Sequence, residues 1–315
     1  MYEKRRINAS LCIIALMLVL LSCSRQTQRD FTSTDFLPPG SIKLNDTVFI
    51  DQYEVSNITY REFLFSMKNI FGPKSALYLT MIPDTKVWSK IGHIECDGEE
   101  IDLNPATMDM LESSYHRSYI FDDFPVVGIS FQQAKNFCTW RTNAVNAYLL
   151  EKDGHLKKET RFDFSLQDYL NVMLMQGKID SFQRYPVYLL PTSDILEELE
   201  YLDDFNSRSN RVICDALSDD DHSFFMLKKN ENYNKFGAIV NLSGNLAEMA
   251  SEEGIAYGGS WLHDEDECRI SKKQTYNEPS AWLGYRCAVV MMTFQQIQKY
   301  YNESTFPEGE LISKF

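Results

Sequence analysis

The chain has 315 residues, of which 44% are hydrophobic and 13% aromatic, and its formal net charge is −14. That much apolar material excludes a wholly disordered chain and suffices for one large core or two small ones. The acidic balance repels phosphate backbones, which excludes nucleic acid as a partner and leaves cationic partners or bound calcium compatible.

In chain order, Lys4, Arg5 and Arg6 form a basic end before the apolar run Leu11 to Leu21, which meets Ser22 and Cys23. As a helix that run spans about 16 Å against about 30 Å of hydrocarbon, so residues 1–22 read as a cleaved export signal and not as a permanent span. Leu20-Leu21-Ser22-Cys23 resembles a bacterial lipobox, which implies acylation of Cys23 and a membrane anchor through it. The other reading is an ordinary cleaved signal with Cys23 incidental. Residues 23–37 are polar and aperiodic, a flexible tether, and the folded domain is expected over 38–315.

Thr47 to Tyr53 alternates and is rich in β-formers, which predicts a strand. Asn57 is the expected cap of a following helix, on which Tyr60, Phe63, Leu64 and Met67 form one apolar stripe. Residues 71–122 hold turn formers and no clear period, and they are too long for a plain connection; they read as an irregular insertion. Ser130 and Gln133 make a capping box. After it, Phe131, Ala134, Phe137, Cys138, Val145 and Tyr148 predict a buried helix face, with Arg141 its one polar member. A second insertion covers about 149–186, with a short helix from Leu166 to Met175. Leu190-Pro191-Thr192 then marks a strand end leading into a capped helix. Short strands and turns follow Gly237, and Phe294 to Tyr301 is the expected terminal helix.

Without Cys12 and with Cys23 acylated, Cys96, Cys138, Cys214, Cys268 and Cys287 remain, an odd set that leaves at least one thiol unpaired. No CxxC or HExxH motif occurs, so zinc is not indicated. His93, His116, His155 and His222 are scattered, and Ser260 lacks a nucleophile elbow.

Four blocks in order resemble the formylglycine-generating-enzyme, or sulfatase-modifying factor, superfamily. They are FIDQYEVSNITYREFL (49–64), FPVVGISFQQAKNFCTW (124–140), YLLPTSDILEELE (188–200), and NLSGNLAEMASEEGIAYGGSWLHDEDECR running into LGYRCAV (241–289). The resemblance implies a loop-rich single α+β domain related to C-type lectins, interrupted here by the two insertions. It also implies a disulfide between Cys138 and Cys287, for which two buried free thiols are the other reading. A calcium site is implied at Asn241, Gly244, Leu246 and Glu248, through two side chains and two backbone oxygens; a turn without metal is the alternative.

In the family's oxidases two thiolates two and seven positions after the tryptophan of the GGSW motif bind copper, a soft pair suited to Cu(I). Counting from Trp261, those positions hold His263 and Cys268, so a bis-thiolate copper site is not expected. Trp261, His263, Cys268 and Arg269 remain the candidate pocket. PDTKVW (83–88) and FCTWRT (137–142) resemble the gliding-motility and type IX secretion lipoproteins of the same superfamily. The reading that follows is a non-catalytic, lipid-anchored envelope scaffold facing the periplasm from the outer membrane, with envelope proteins as partners. The alternatives are a divergent oxidase or iron-dependent oxygenase and, on the lectin-like fold alone, a calcium-dependent glycan binder.

Overall fold

The computed structural model describes residues 37–91, 93–96, 99–102, 105–196, 199 and 239–303. Cys23, Cys214, His222 and nearly all of the expected tether lie outside them, as do the side chains of His93 and Cys96.

The chain starts with a hairpin of β1 (Ser41–Lys43) and β2 (Val48–Asp51). Its turn is held by the Asn45 side chain, which accepts from the Thr47 and Val48 amides at 3.0 and 2.9 Å. Helix α1 (Asn57–Phe71) buries Tyr60, Phe63 and Met67, the expected stripe, and stops at Gly72, whose φ of 87° ends the helical path. The cap differs from expectation: Ser56 holds the extended N-cap position, and Asn57 lies in the first turn, where its Nδ2 donates to the Phe121 carbonyl at 3.0 Å.

The described part of 71–122, where no periodicity is visible in the sequence, holds short regular elements. It contains α2 (Ala76–Leu79), the hairpin β3 (His93–Cys96) and β4 (Glu99–Asp102), and α3 (Pro105–Ser114), which begins with proline where a missing N–H costs nothing. Trp88, Leu111 and Tyr115 are fully buried in a core of their own against Val127, Leu246 and Trp261. Each of these elements is only three or four residues or one short helix, so period-counting windows miss them.

Helix α4 (Phe131–Lys152) opens with the expected capping box, both Ser130 and Gln133 taking part. Ala134, Phe137 and Cys138 are buried as expected, but Tyr148 is exposed. Polar residues fill much of the inner face instead, each tied to a neighbouring segment. Gln133 donates to the carbonyls of Thr80 and Ile82, Asn146 to Pro186, and the Thr142 hydroxyl accepts from the Tyr188 amide. Hydrogen-bonded burial of this kind carries no hydrophobic period.

Helix α5 (Leu166–Met175) stands where the second insertion was expected to be helical, and its Leu166 and Leu170 pack with Tyr185, Val187, Phe294 and Ile297. There follow β5 (Arg184–Leu189), a helical turn at 193–196, then β6 (Ala247–Met249), β7 (Ile255–Tyr257), β8 (Lys273–Thr275), β9 (Leu283–Gly284), β10 (Ala288–Thr293) and α6 (Phe294–Glu303). One antiparallel sheet runs β1-β2-β10-β5, and the other β8-β7-β6-β9 with β6 and β9 parallel. Pairing β2 with β10 joins the two ends of the domain. The main core lies between α1, α4 and this sheet, where Phe63, Phe137 and Tyr285 meet edge to face at 5.6–5.7 Å. The architecture is α+β, as expected, and among the described residues no helix is long and apolar enough to cross a membrane.

Candidate functional site

Two turns from the last sequence block lie side by side. The first is Asn241 to Glu248, in which Asn241, Gly244 and Asn245 all have left-handed backbones, with φ of 57°, 73° and 63°. It docks on the second turn through Gly244 N–H to the Gly258 carbonyl at 2.7 Å and Trp261 N–H to the Asn245 carbonyl at 3.1 Å. The approach is close enough to require glycine. A Cβ on Gly258 would stand 2.6 Å from the Leu242 carbonyl oxygen, and one on Gly259 at 2.6 Å from that of Glu267.

Beneath the first turn Arg286 is fully buried. Its Nε and Nη2 take both oxygens of Glu248, Nη1 donates to the Asp51 and Gln52 carbonyls, and Nη2 donates to those of Val240 and Asn241. Glu54 accepts from Asn245 Nδ2 at 2.7 Å and from Asn241 Nδ2 at 3.2 Å. Asp51 accepts from Arg141 at 2.5 Å and from the Cys287 amide at 3.2 Å. Three buried carboxylates thus face two guanidinium groups. Burial pushes the Glu54 carboxyl up, and it pushes Glu248 up to about 7 against the pull of Arg286. Sequence reasoning missed Glu54, Asn245 and Arg286 here, although all three sit in blocks that carried the resemblance.

The second turn, Gly258 to Cys268, was expected to hold a reactive pocket. Trp261 is buried, its Nε1 donating to the Ala281 carbonyl at 3.2 Å. The Ser260 hydroxyl, fully buried, accepts from the Leu262 amide and meets His263 Nδ1 at 2.6 Å. The imidazole stands edge-on to Trp282 with ring centres 5.0 Å apart, and its partial burial lowers its pKa. Cys268 is buried and disulfide-bonded, its partner lying outside the described side chains. Arg269 is exposed, 3.4 Å from Asp266.

The family model described as sulfatase-modifying factor enzyme 1-like domain matches residues 15–291. The chain belongs to this family. Among solved structures it is similar to Treponema denticola variable protein 1, at 12% identity, covering 76% of this chain and 84% of that one with a TM-score of 0.37. No curated protein matches the chain.

In this sulfatase-modifying factor domain the chemistry of the two turns is opposite. The first is rich in hard oxygen donors, of which both carboxylate oxygens of Glu248 are held by the Arg286 guanidinium. Among the described residues no three His, Cys, Asp or Glu side chains form a metal-holding group, and a set of two side chains and two carbonyls is not of that kind. The second turn offers one imidazole and a sulfur already bonded to another sulfur, so it has no thiolate to give to Cu(I).

The expected Cys138–Cys287 bridge is a contact here. The sulfurs lie 3.6 Å apart and both cysteines are free, against about 2.05 Å for a bond. Packing of α4 beneath the strand entering β10 brings them together, and burial pushes the Cys287 thiol well up.

Proposed function

We propose that this domain is a non-catalytic binding platform, held in the bacterial envelope by acylated Cys23 and facing the periplasm from the outer membrane. The observation that carries the reading is the second turn: imidazole stands where the family's oxidases need a thiolate, and the other sulfur is already in a disulfide. A linear bis-thiolate copper centre needs two free thiolates, and this turn supplies none. The platform part of the reading is supported by the first turn, where Asn241, Asn245 and Glu248 are held by Glu54 and Arg286 from distant segments. Calcium at Asn241, Gly244, Leu246 and Glu248, and an oxidised Cys138–Cys287 bridge in the envelope, belong to the same proposal. The likeness of PDTKVW (83–88) and FCTWRT (137–142) to gliding-motility and type IX secretion lipoproteins supports envelope proteins as the partners.

The deciding experiment incubates the protein with copper, oxygen and a cysteine-containing sulfatase peptide and reads the peptide by mass spectrometry. The expected result is an unchanged thiol; conversion to an aldehyde would establish the divergent oxidase instead. Labelling with radioactive palmitate is expected to be lost in Cys23→Ala, and crosslinking in envelopes is expected to capture a protein partner.

A further inference from the structure

A cleft of 340 Å³ opens between the family scaffold and the second insertion, away from both turns. Its volume falls within the range of roughly 300–1,000 Å³ typical of small-molecule sites. Helix α1 contributes Ile70 to its floor, and α4 contributes Trp140 and Ala144. The Trp140 ring is fixed from behind by Phe63 and Phe137, with centres 5.6 and 5.4 Å away, so this wall is preformed. The outer wall is Phe164, which is buried, and Phe162, which is 65% exposed although it is a large apolar ring.

The rim carries charge of one sign. Lys158 and Arg161 both line the cleft, and no acidic side chain does. Lys158 opens the 3-10 turn Lys158–Thr160 and Arg161 is its C-cap, three residues on, a spacing at which side chains of such a turn eclipse and lie on one side. Arg161 also stands 5.4 Å over the Tyr148 ring and 3.5 Å from Glu151 Oε2, a distance too long to satisfy that oxygen. Lys158 has no ion-pair partner among the described residues. Two cations converging on an aromatic cleft stand out in a chain of net charge −14.

From this juxtaposition we infer that the cleft binds a small anionic amphiphile, its apolar body between Trp140, Phe162 and Phe164 and its carboxylate or phosphate on Lys158 and Arg161. Ion-paired hydrogen bonds to the head would set orientation, and the rings would supply most of the buried area. A free fatty acid and the headgroup end of an anionic lipid share this chemistry.

The test uses the full chain in isolated envelopes and a photoactivatable diazirine analogue of laurate, with crosslinks mapped by peptide mass spectrometry. Labelling is expected on the peptides holding Trp140 to Ala144 and Phe162 to Phe164. Ala144→Trp, which fills the cleft and removes no interaction, is expected to abolish it. Lys158→Glu with Arg161→Glu is expected to reduce it about tenfold, the effect of losing one charge-assisted contact. Lys178→Glu, on an exposed loop outside the cleft, serves as the control, and thermal midpoints confirm that every variant is folded. Competition by laurate identifies a free acid, and competition by phosphatidylglycerol vesicles alone identifies a lipid; either supports the inference. Labelling that survives Ala144→Trp in the folded protein, or that dodecanol competes as well as laurate does, overturns it.

Discussion

The two neighbouring turns share a sequence block and a contact, yet they have kept different things. In Asn241 to Glu248 the polar groups are buried and matched by Glu54, Asp51 and Arg286 from opposite ends of the chain. In Gly258 to Cys268 the tryptophan is equally buried, but the polar residues beyond it, from His263 to Glu267, are exposed or half-exposed and their hydrogen bonds are mostly local. One turn is therefore tied into the packed interior through its polar groups, and the other mainly through its tryptophan. Buried ion pairs cannot be changed singly without large cost, whereas a partly solvated loop tolerates replacement of a side chain.

The largest effect is expected at Arg286. Replacing it with alanine leaves Glu248 buried and uncompensated, at a cost of about 3–5 kcal/mol, so thermal unfolding is expected to show a midpoint lower by about 10 °C or to find no folded protein. Should Arg286→Ala melt like the wild type, the buried pair is not what holds the first turn. In the second turn the apolar half is expected to matter almost as much: Trp261→Ala empties a packed site for about 3–5 kcal/mol. His263→Ala, measured the same way, is expected to move the midpoint far less, since the ring is only half-buried and its Nδ1 bond is to a neighbour three residues away.

A charge-balance measurement sharpens the contrast. Glu54 and Glu248 are pushed above the usual carboxylate value, so the folded state holds protons that the unfolded chain has released above pH 4.5. Their contribution to stability therefore falls as pH rises from 4.5 towards about 7. Midpoints at about pH 5 and about pH 7.5 are expected to differ in that direction, and Glu54→Gln is expected to shrink the difference. If calcium sits at this turn, its removal by a chelator at the higher pH lowers the midpoint further, by about 5–10 °C when the ion had been present at a hundredfold its dissociation constant. No change on chelation removes calcium from the account. Smaller again is the helix cap: Ser130→Ala is expected to cost about 1 kcal/mol, read as a shift of about 2–4 °C.

Local signals in the sequence were read well where a residue acts on its own neighbours. The Ser130–Gln133 capping box, the helix at Leu166 to Met175 and the strand before Tyr53 all appear where adjacent residues placed them. The inner face of α4 was misread because Gln133, Thr142 and Asn146 are buried by partners 40 to 53 residues away, which no helical period records.

The order of the four blocks made the family legible in the sequence, and the count from Trp261 placed a histidine at 263, because both are matters of residue identity and spacing. That Glu54 and Arg286 converge beneath one turn, that Trp88 and Tyr115 pack in one core with Trp261, and that Lys158 and Arg161 come to line a cleft beside Trp140 follow from the tertiary structure alone. Burial and charge pairing depend on distances through space, and a chain acquires those distances only when segments far apart along it are packed together.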